Sequence, residues 1–353
     1  MSGKPLHVII AARAKLRANA FFNHKSLRFT LAWLRLIKAR KLSDLRSQRC
    51  RAVLLFVALT TPVSGFGQNV ALIYDETSHY QSNFVDILSS EGSSTAVHFK
   101  RLSSASLSID ALKKDPPDII ISLNNRSSNQ LIASKLPTTT FHALTTLSRS
   151  RQIAPCLPNC LSALPNHLFF VLDQPVARQL KLITLINPRI KNIGLIVTEH
   201  STPYWLQQQN TTHALNINKH ITDAKSIRYQ IDSIVQSSDA ILAIADTDIY
   251  NASTLSQILL TSYRYKTPVI GFSTGFVKAG ALTGTISTLH QLAQHLTEYL
   301  RPFDQSAPHK TLNLIYPKYF EVFTNRAVAK SLNLHFPSDQ KLTSTLIDDE
   351  NTR

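Results

Sequence analysis

From Asn69 onward the chain alternates short apolar, β-branched runs with longer stretches whose apolar residues recur at helical spacing. NVALIYDE (69–76) predicts a strand ending in a polar loop, followed by a helical pattern over 78–90. AVHFK (96–100) and DIIISL (118–123) predict the next strands, the second entered through Pro116-Pro117. A helical 127–135 leads to the strand TTTFHAL (138–144) and then to HLFFVL (167–172). A helix over 175–187 opens with Pro175 at a first-turn position.

The pattern then repeats. KNIGLIVTE (191–199), ALNINK (214–219), DAILAIADTD (239–248) and TPVIGFS (267–273) read as strands, with helices over 203–211, 223–236 and 252–263 between them. Such alternation implies parallel sheets with helices on both faces. Strands as uniformly apolar as IIISL and AILAIA fit sheets covered on both sides. The expected fold class is α/β: two doubly wound parallel-sheet lobes joined by crossover strands. The first lobe is expected over 68–170 with about 273–310, and the second over 171–272. Small residues at 279–284 suit a crossing between lobes, 311–337 is expected as a crossing C-terminal segment, and 338–353 as a flexible tail.

Charge changes the picture only at one end. The formal net charge of +16 suggests nucleic acid at first sight. Residues 1–67, however, carry 13 Lys/Arg against one acid, while the rest carries 25 against 21. The excess therefore belongs to a basic leader, and no nucleic-acid partner is expected. Within it, Arg46, Arg49 and Arg51 precede the apolar AVLLFVAL (52–59), and Pro62, Gly65 and Gly67 suit cleavage before Gln68. This reads as a secretory signal and predicts a periplasmic protein, the alternative being a buried strand. The apolar run is too short for a permanent membrane span. Cys50 lies in the leader; Cys156 and Cys160 (PCLPNC) form an even pair that reads as a small disulfide or as two free thiols.

Candidate chemistry gathers where loops leave the carboxyl ends of strands, since ligands of open α/β sheets bind there. Those tips offer Asp75 and Thr77, Asn124 and Arg126, Thr145, Glu199, Asp246 and Asp248, and Ser273 and Thr274. Arg126 and Lys278 suit an acidic ligand group, and the carboxylates suit an amine. Helix capping is the competing role for each Ser, Thr, Asp and Asn. Tyr204 and Trp205 offer an aromatic surface for a ligand or for packing. No G-x-S-x-G elbow, P-loop, H-E-x-x-H or dinucleotide fingerprint occurs, and the 13 histidines lack ligand spacing. Neither an enzyme, a cofactor nor a metal is expected.

PVIGFSTGFVKAGALTGTIS (268–287), with DAILAIADTDIYNASTLSQILLTSYRYKTP before it, resembles the substrate-binding proteins of ABC transporters of the tryptophan/tyrosine-binding type. VLDQPVARQLKLITLINPRIKNIGLIV (171–197) and NRAVAKSLNLHFP (325–337) resemble further stretches of that family. The chain departs from it in the acidic Asp75-Glu76 loop and in TTLSRSRQIAPCLPNC, which replaces a glycine-rich turn. The resemblance implies a two-lobed periplasmic-binding fold with three crossovers. It also implies a monomer that captures a small polar ligand, an amino acid being the suggested class, and hands it to an inner-membrane ABC permease. The alternative is a non-transport periplasmic sensor or accessory protein of the same fold with a degenerate cleft.

Overall fold

The computed structural model describes residues 67–92, 97–202, 215–300 and 313–352. The leader, with its 52–59 run, and the helix expected over 203–211 lie outside the described residues.

The chain starts with strand β1 (Gln68–Tyr74), helix α1 (His79–Gly92), β2 (Val97–Ser103), α2 (Ile109–Lys114), β3 (Ile119–Ser122) and α3 (Asn125–Ser134). It continues through β4 (Thr139–Thr145), α4 (Leu147–Ile153) and β5 (His167–Val171). Helix α5 (Val176–Ile186) then leads into β6 (Asn192–Val197), β7 (Asn216–Ile221), α6 (Ile227–Gln236), β8 (Ala240–Leu242), α7 (Leu255–Arg264) and β9 (Val269–Ile270). The last third holds α8 (Thr274–Ala279), β10 (Thr283–Ile286), α9 (Leu289–Leu300), β11 (Leu314–Ile315), β12 (Glu321–Thr324), α10 (Arg326–Ser331) and α11 (Asp339–Asn351).

Two six-stranded sheets result, ordered β11-β5-β4-β3-β1-β2 and β12-β10-β9-β8-β6-β7. All described pairings are parallel except β10 with β12. The expected pair of doubly wound sheets is therefore what forms. The cause is visible in β3 and β8, whose residues are buried throughout because helices cover both faces.

On one face of the first sheet, Phe84 and Leu88 of α1 pack with Leu292 and Leu296 of α9. On one face of the second, Ile231 and Ile234 of α6 pack with Ile258 of α7 and Val277 of α8. A further cluster runs from Phe169 and Val171 of β5 through Leu180 and Ile183 of α5 to Leu195 and Leu242 of the second sheet.

Three expectations need correction. First, the chain does not leave the second lobe at 279–284. Thr283–Ile286 is β10, within the second sheet, and α9 is the next element to join the first. The small residues serve another purpose: a Cβ on Gly284 would lie 2.2 Å from the carbonyl oxygen of Gly271, just past the neighbouring strand β9, and Gly280 sits at φ 135°. Second, 239–248 is not one long strand. Only Ala240–Leu242 is strand, and the segment beyond turns into a loop held by Asp246. Third, the segment expected as a flexible tail carries a helix: Ser338 caps α11, whose Leu342 and Leu346 are buried. Its acidic residues gave it the look of a solvated end.

The first sheet connects to the second at three places: 172–175, 287–288 and 316–320. Side chains tie these together. Gln174 Nε2 donates to Ser287 Oγ at 2.9 Å, and Ser287 Oγ donates to the Tyr319 carbonyl at 2.6 Å. Arg178, in the first turn of α5, donates to Gln174 Oε1 at 2.6 Å and to the Pro317 carbonyl at 3.0 Å.

Candidate functional site

Near the end of strand β4, Leu144 sits at φ 53°, a left-handed conformation unusual for a branched apolar residue, and the register with β5 shifts between His142 and Thr145. The kink brings Thr146 into position to cap α4, its hydroxyl accepting from the Arg149 N–H at 3.3 Å. Thr145 is buried beneath that turn, where its hydroxyl accepts from Ser150 Oγ at 3.3 Å.

Beside it, Asp173 follows β5 at the first connection and is 4% exposed. Its Oδ2 accepts from the Leu147 N–H at 2.6 Å. Burial raises its pKa to about 7; the Leu147 and Asp173 N–H groups oppose the rise, and the Asp246 carboxylate adds to it.

Asp246, in the loop after β8, is 1% exposed. It accepts from Thr198 Oγ1 at 2.7 Å and from the Asp248 N–H at 3.0 Å. Thr198, at the end of β6, has its own N–H held by Ser201 Oγ at 2.8 Å. The carboxyl ends of the two sheets approach one another here, and the Asp246 carboxylate acts on Asp173. Two hydrogen bonds cross between them: Arg149 Nη2 to Thr247 Oγ1 at 3.1 Å, and Gln152 Nε2 to Asp248 Oδ2 at 3.5 Å.

A cavity of about 790 Å³ opens beside this point, at the ends of β6, β7 and β8. Glu199, Asp223 and Asp248 line it with His200 and Lys225, so carboxylates outnumber cations on its wall.

The residues singled out from the sequence separate into groups. Asp246 and Asp248 stand together where the sheets meet, Glu199 joins Asp248 in the cavity wall, and Thr145 is buried within the first sheet's own turn. Asp75 Oδ1 takes the Thr77 N–H at 3.0 Å and the Thr77 hydroxyl at 2.7 Å, which holds its pKa below the usual carboxylate value. Asn124 caps α3 through the Ser127 N–H at 3.0 Å, and Ser273 caps α8 through the Phe276 N–H at 3.2 Å. Arg126 is exposed on the first turn of α3, and Thr274 is half-buried at the start of α8. Tyr204 lies outside the described residues. Cys156 and Cys160 are joined as a disulfide, with Cα atoms 5.1 Å apart.

Sequence reasoning passed over Arg149, Gln152, Asp173, Thr198 and Ser201. Asp173 had left a signal, as an acid directly after the apolar HLFFVL. Arg149 and Gln152 had none, because their partners lie 98 and 96 residues away.

Two parallel six-stranded sheets, three connections and polar loops meeting at the strands' carboxyl ends define the class: a two-lobed, periplasmic-binding-protein-like fold. Within that class, residues 172–342 match the family described as ABC transporter substrate binding protein, and the resemblance read from the sequence is borne out there. Solved structures agree on the fold. CD0873 of Clostridium difficile, described as a ligand-free, open substrate binding protein with adhesive properties, matches with TM-score 0.55 and 16% identity over 77% of this chain and 97% of that one. The ABC domain from Streptococcus pneumoniae in complex with L-Trp matches with TM-score 0.52 and 13% identity, over 78% and 98%. A conserved domain protein of Vibrio cholerae gives TM-score 0.50 and 18% identity, also over 78% and 98%. A search of curated proteins returns no match.

Proposed function

We propose that the chain is an exported, periplasmic solute-binding protein. In this reading it captures a small polar ligand, with an amino acid as the favoured class, between its lobes and delivers it to an ABC permease. The lobes are taken as 68–171 with 289–315, and 176–286 with 321–351. The observation that carries the reading is the approach of Asp173 and Asp246 where the two sheets converge, with Asp248 bonded to Asp246 beside a cavity walled by Glu199 and Asp248. An ammonium group suits these carboxylates, and Arg149 or Arg126 suits the ligand's own carboxylate. The L-Trp in the pneumococcal relative is consistent with that class. Closure would be a hinge movement between the lobes.

A thermal-shift screen over the amino acids and small carboxylates tests it. An amino acid should raise the melting temperature by mass action, and Asp248→Asn should weaken that ligand about tenfold, the loss of one charge-assisted hydrogen bond. No shift with any compound would end the capture reading and favour a sensor or accessory role. A ligand bound equally well by Asp248→Asn and Arg149→Ala would remove this site while leaving capture intact.

A further inference from the structure

We propose that the outward face of α6 and α7, on the second sheet, docks on an anionic lipid bilayer. Seven large hydrophobic side chains are exposed among the described residues; three fall on this helix pair, Tyr229, Leu260 and Tyr263, at 81%, 65% and 51% exposure, and a fourth, Tyr265 at 41%, caps the end of α7. Chance scatter of exposed apolar residues is ordinary, but concentration on one face is the mark of an interaction surface.

The helices lie side by side in register. Gln257 Nε2 donates to the Arg228 carbonyl at one end, and Gln236 Nε2 donates to Tyr265 Oη at the other, both at 3.0 Å. Leu260, Tyr263 and Arg264 follow one another at helical spacing on the exposed side of α7, opposite the buried Ile258, Leu259 and Ser262. Arg228 extends over the Tyr229 ring, 5.6 Å from its centroid, so charge and aromatic surface are interleaved.

The chemistry of the rim selects the occupant. Arg228, Arg264 and Lys266 are exposed around the apolar residues, and Asp232 of α6 is only half-buried among them. A second copy of the chain would set cations against cations. An anionic surface complements them, and tyrosine rings with a leucine on convex helices suit the headgroup level of a bilayer, apolar body inward and hydroxyl in water. The proposal holds whatever the interlobe cleft binds.

Flotation of the full-length chain with phosphatidylglycerol-containing vesicles, and with phosphatidylcholine vesicles as the neutral reference, tests the proposal. Two triple variants are compared with wild type: Tyr229→Ser/Leu260→Ser/Tyr263→Ser and Arg228→Gln/Arg264→Gln/Lys266→Gln. Each should lower partition onto phosphatidylglycerol by about tenfold or more. Tyr80→Ser, at a tyrosine 50% exposed on α1, should leave it unchanged. All substituted side chains are exposed, and an unchanged circular dichroism spectrum confirms the fold. The basic leader is common to every sample, and a chain starting at Gln68, the expected cleavage point, is floated alongside with the same substitutions so that binding through the leader is separated from binding through the patch. Partition of both triple variants equal to wild type, or an equal loss in Tyr80→Ser, overturns the proposal; the first result would leave the patch to an acidic protein surface.

Discussion

Burying a carboxylate without a cation raises its affinity for protons, and Asp173 is the clearest case here, its pKa lifted to about 7. Because the folded value lies above the ordinary 3.8, the stability it contributes is full below about pH 4 and is lost as pH rises through about 7. Asp173→Asn keeps an acceptor for the Leu147 N–H but no charge. Relative to wild type it should gain on the order of 2–4 kcal/mol between about pH 5 and about pH 8, read from urea unfolding. A constant difference across that range would contradict the assignment.

His142 and His167 act in the opposite sense. His142 bonds Ser128 Oγ at 2.8 Å and His167 at 2.9 Å, and burial pushes both histidines below the ordinary 6.5. Their contribution is present above about pH 6.5 and declines as pH falls. The two effects therefore oppose one another as the pH rises toward neutrality.

At the scale of elements, α11 shows how a segment can be misread. Its sequence DQKLTSTLIDDEN offers two apolar leucines among charges, too few for a confident amphipathic pattern. Its stability comes from the tertiary structure instead. Leu342 and Leu346 join the cluster of α5, and Lys181 pairs with Asp349 at 2.8 Å. Arg178, whose side chain is 3% exposed, forks onto Glu350 at 2.6 and 2.8 Å while lying over the Phe320 ring.

Glu350 is a third exposed, so the pair is worth less than a fully buried one. Arg178→Met should cost about 2–3 kcal/mol in denaturant unfolding, and Arg178→Met/Glu350→Gln clearly less than the two single effects summed. Leu346→Ala should cost about 2–4 kcal/mol.

The parallel strands were legible because apolar runs bounded by turns need no partner to be recognised. What was not legible depended on residues remote in sequence: the fastening of α11, the place of β10 beside β9, and the meeting of Arg149 with Thr247. The same limit governs the candidate site. Hydroxyls and carboxylates at strand tips could be listed, but only the fold separated Asp246 and Asp248, which meet the other sheet's loops, from Asn124 and Ser273, which cap their own helices.

For the whole molecule, the bonds from Arg149 to Thr247 and from Gln152 to Asp248 are the ones that span the sheets' carboxyl ends. Both are exposed, and each is worth about 0.5–1 kcal/mol. Arg149→Ala should therefore shift the balance toward the open form. Ligand affinity, once a ligand is in hand, should fall about twofold to fivefold, with a larger radius of gyration for the unliganded protein in small-angle scattering. An unchanged radius would mean that these contacts do not hold the lobes.

The cross-bonded connections carry a mechanical consequence. Gln174, Ser287 and Tyr319 link the three segments that run between the sheets, as aligned knuckles share one pin. A door hung this way swings but does not slide. Hydrogen bonds running from one connection to the next hold the three side by side, so bending at this line keeps them while any movement that parts the connections breaks them. In the proposed capture, the lobes would then turn about this line rather than separate along it.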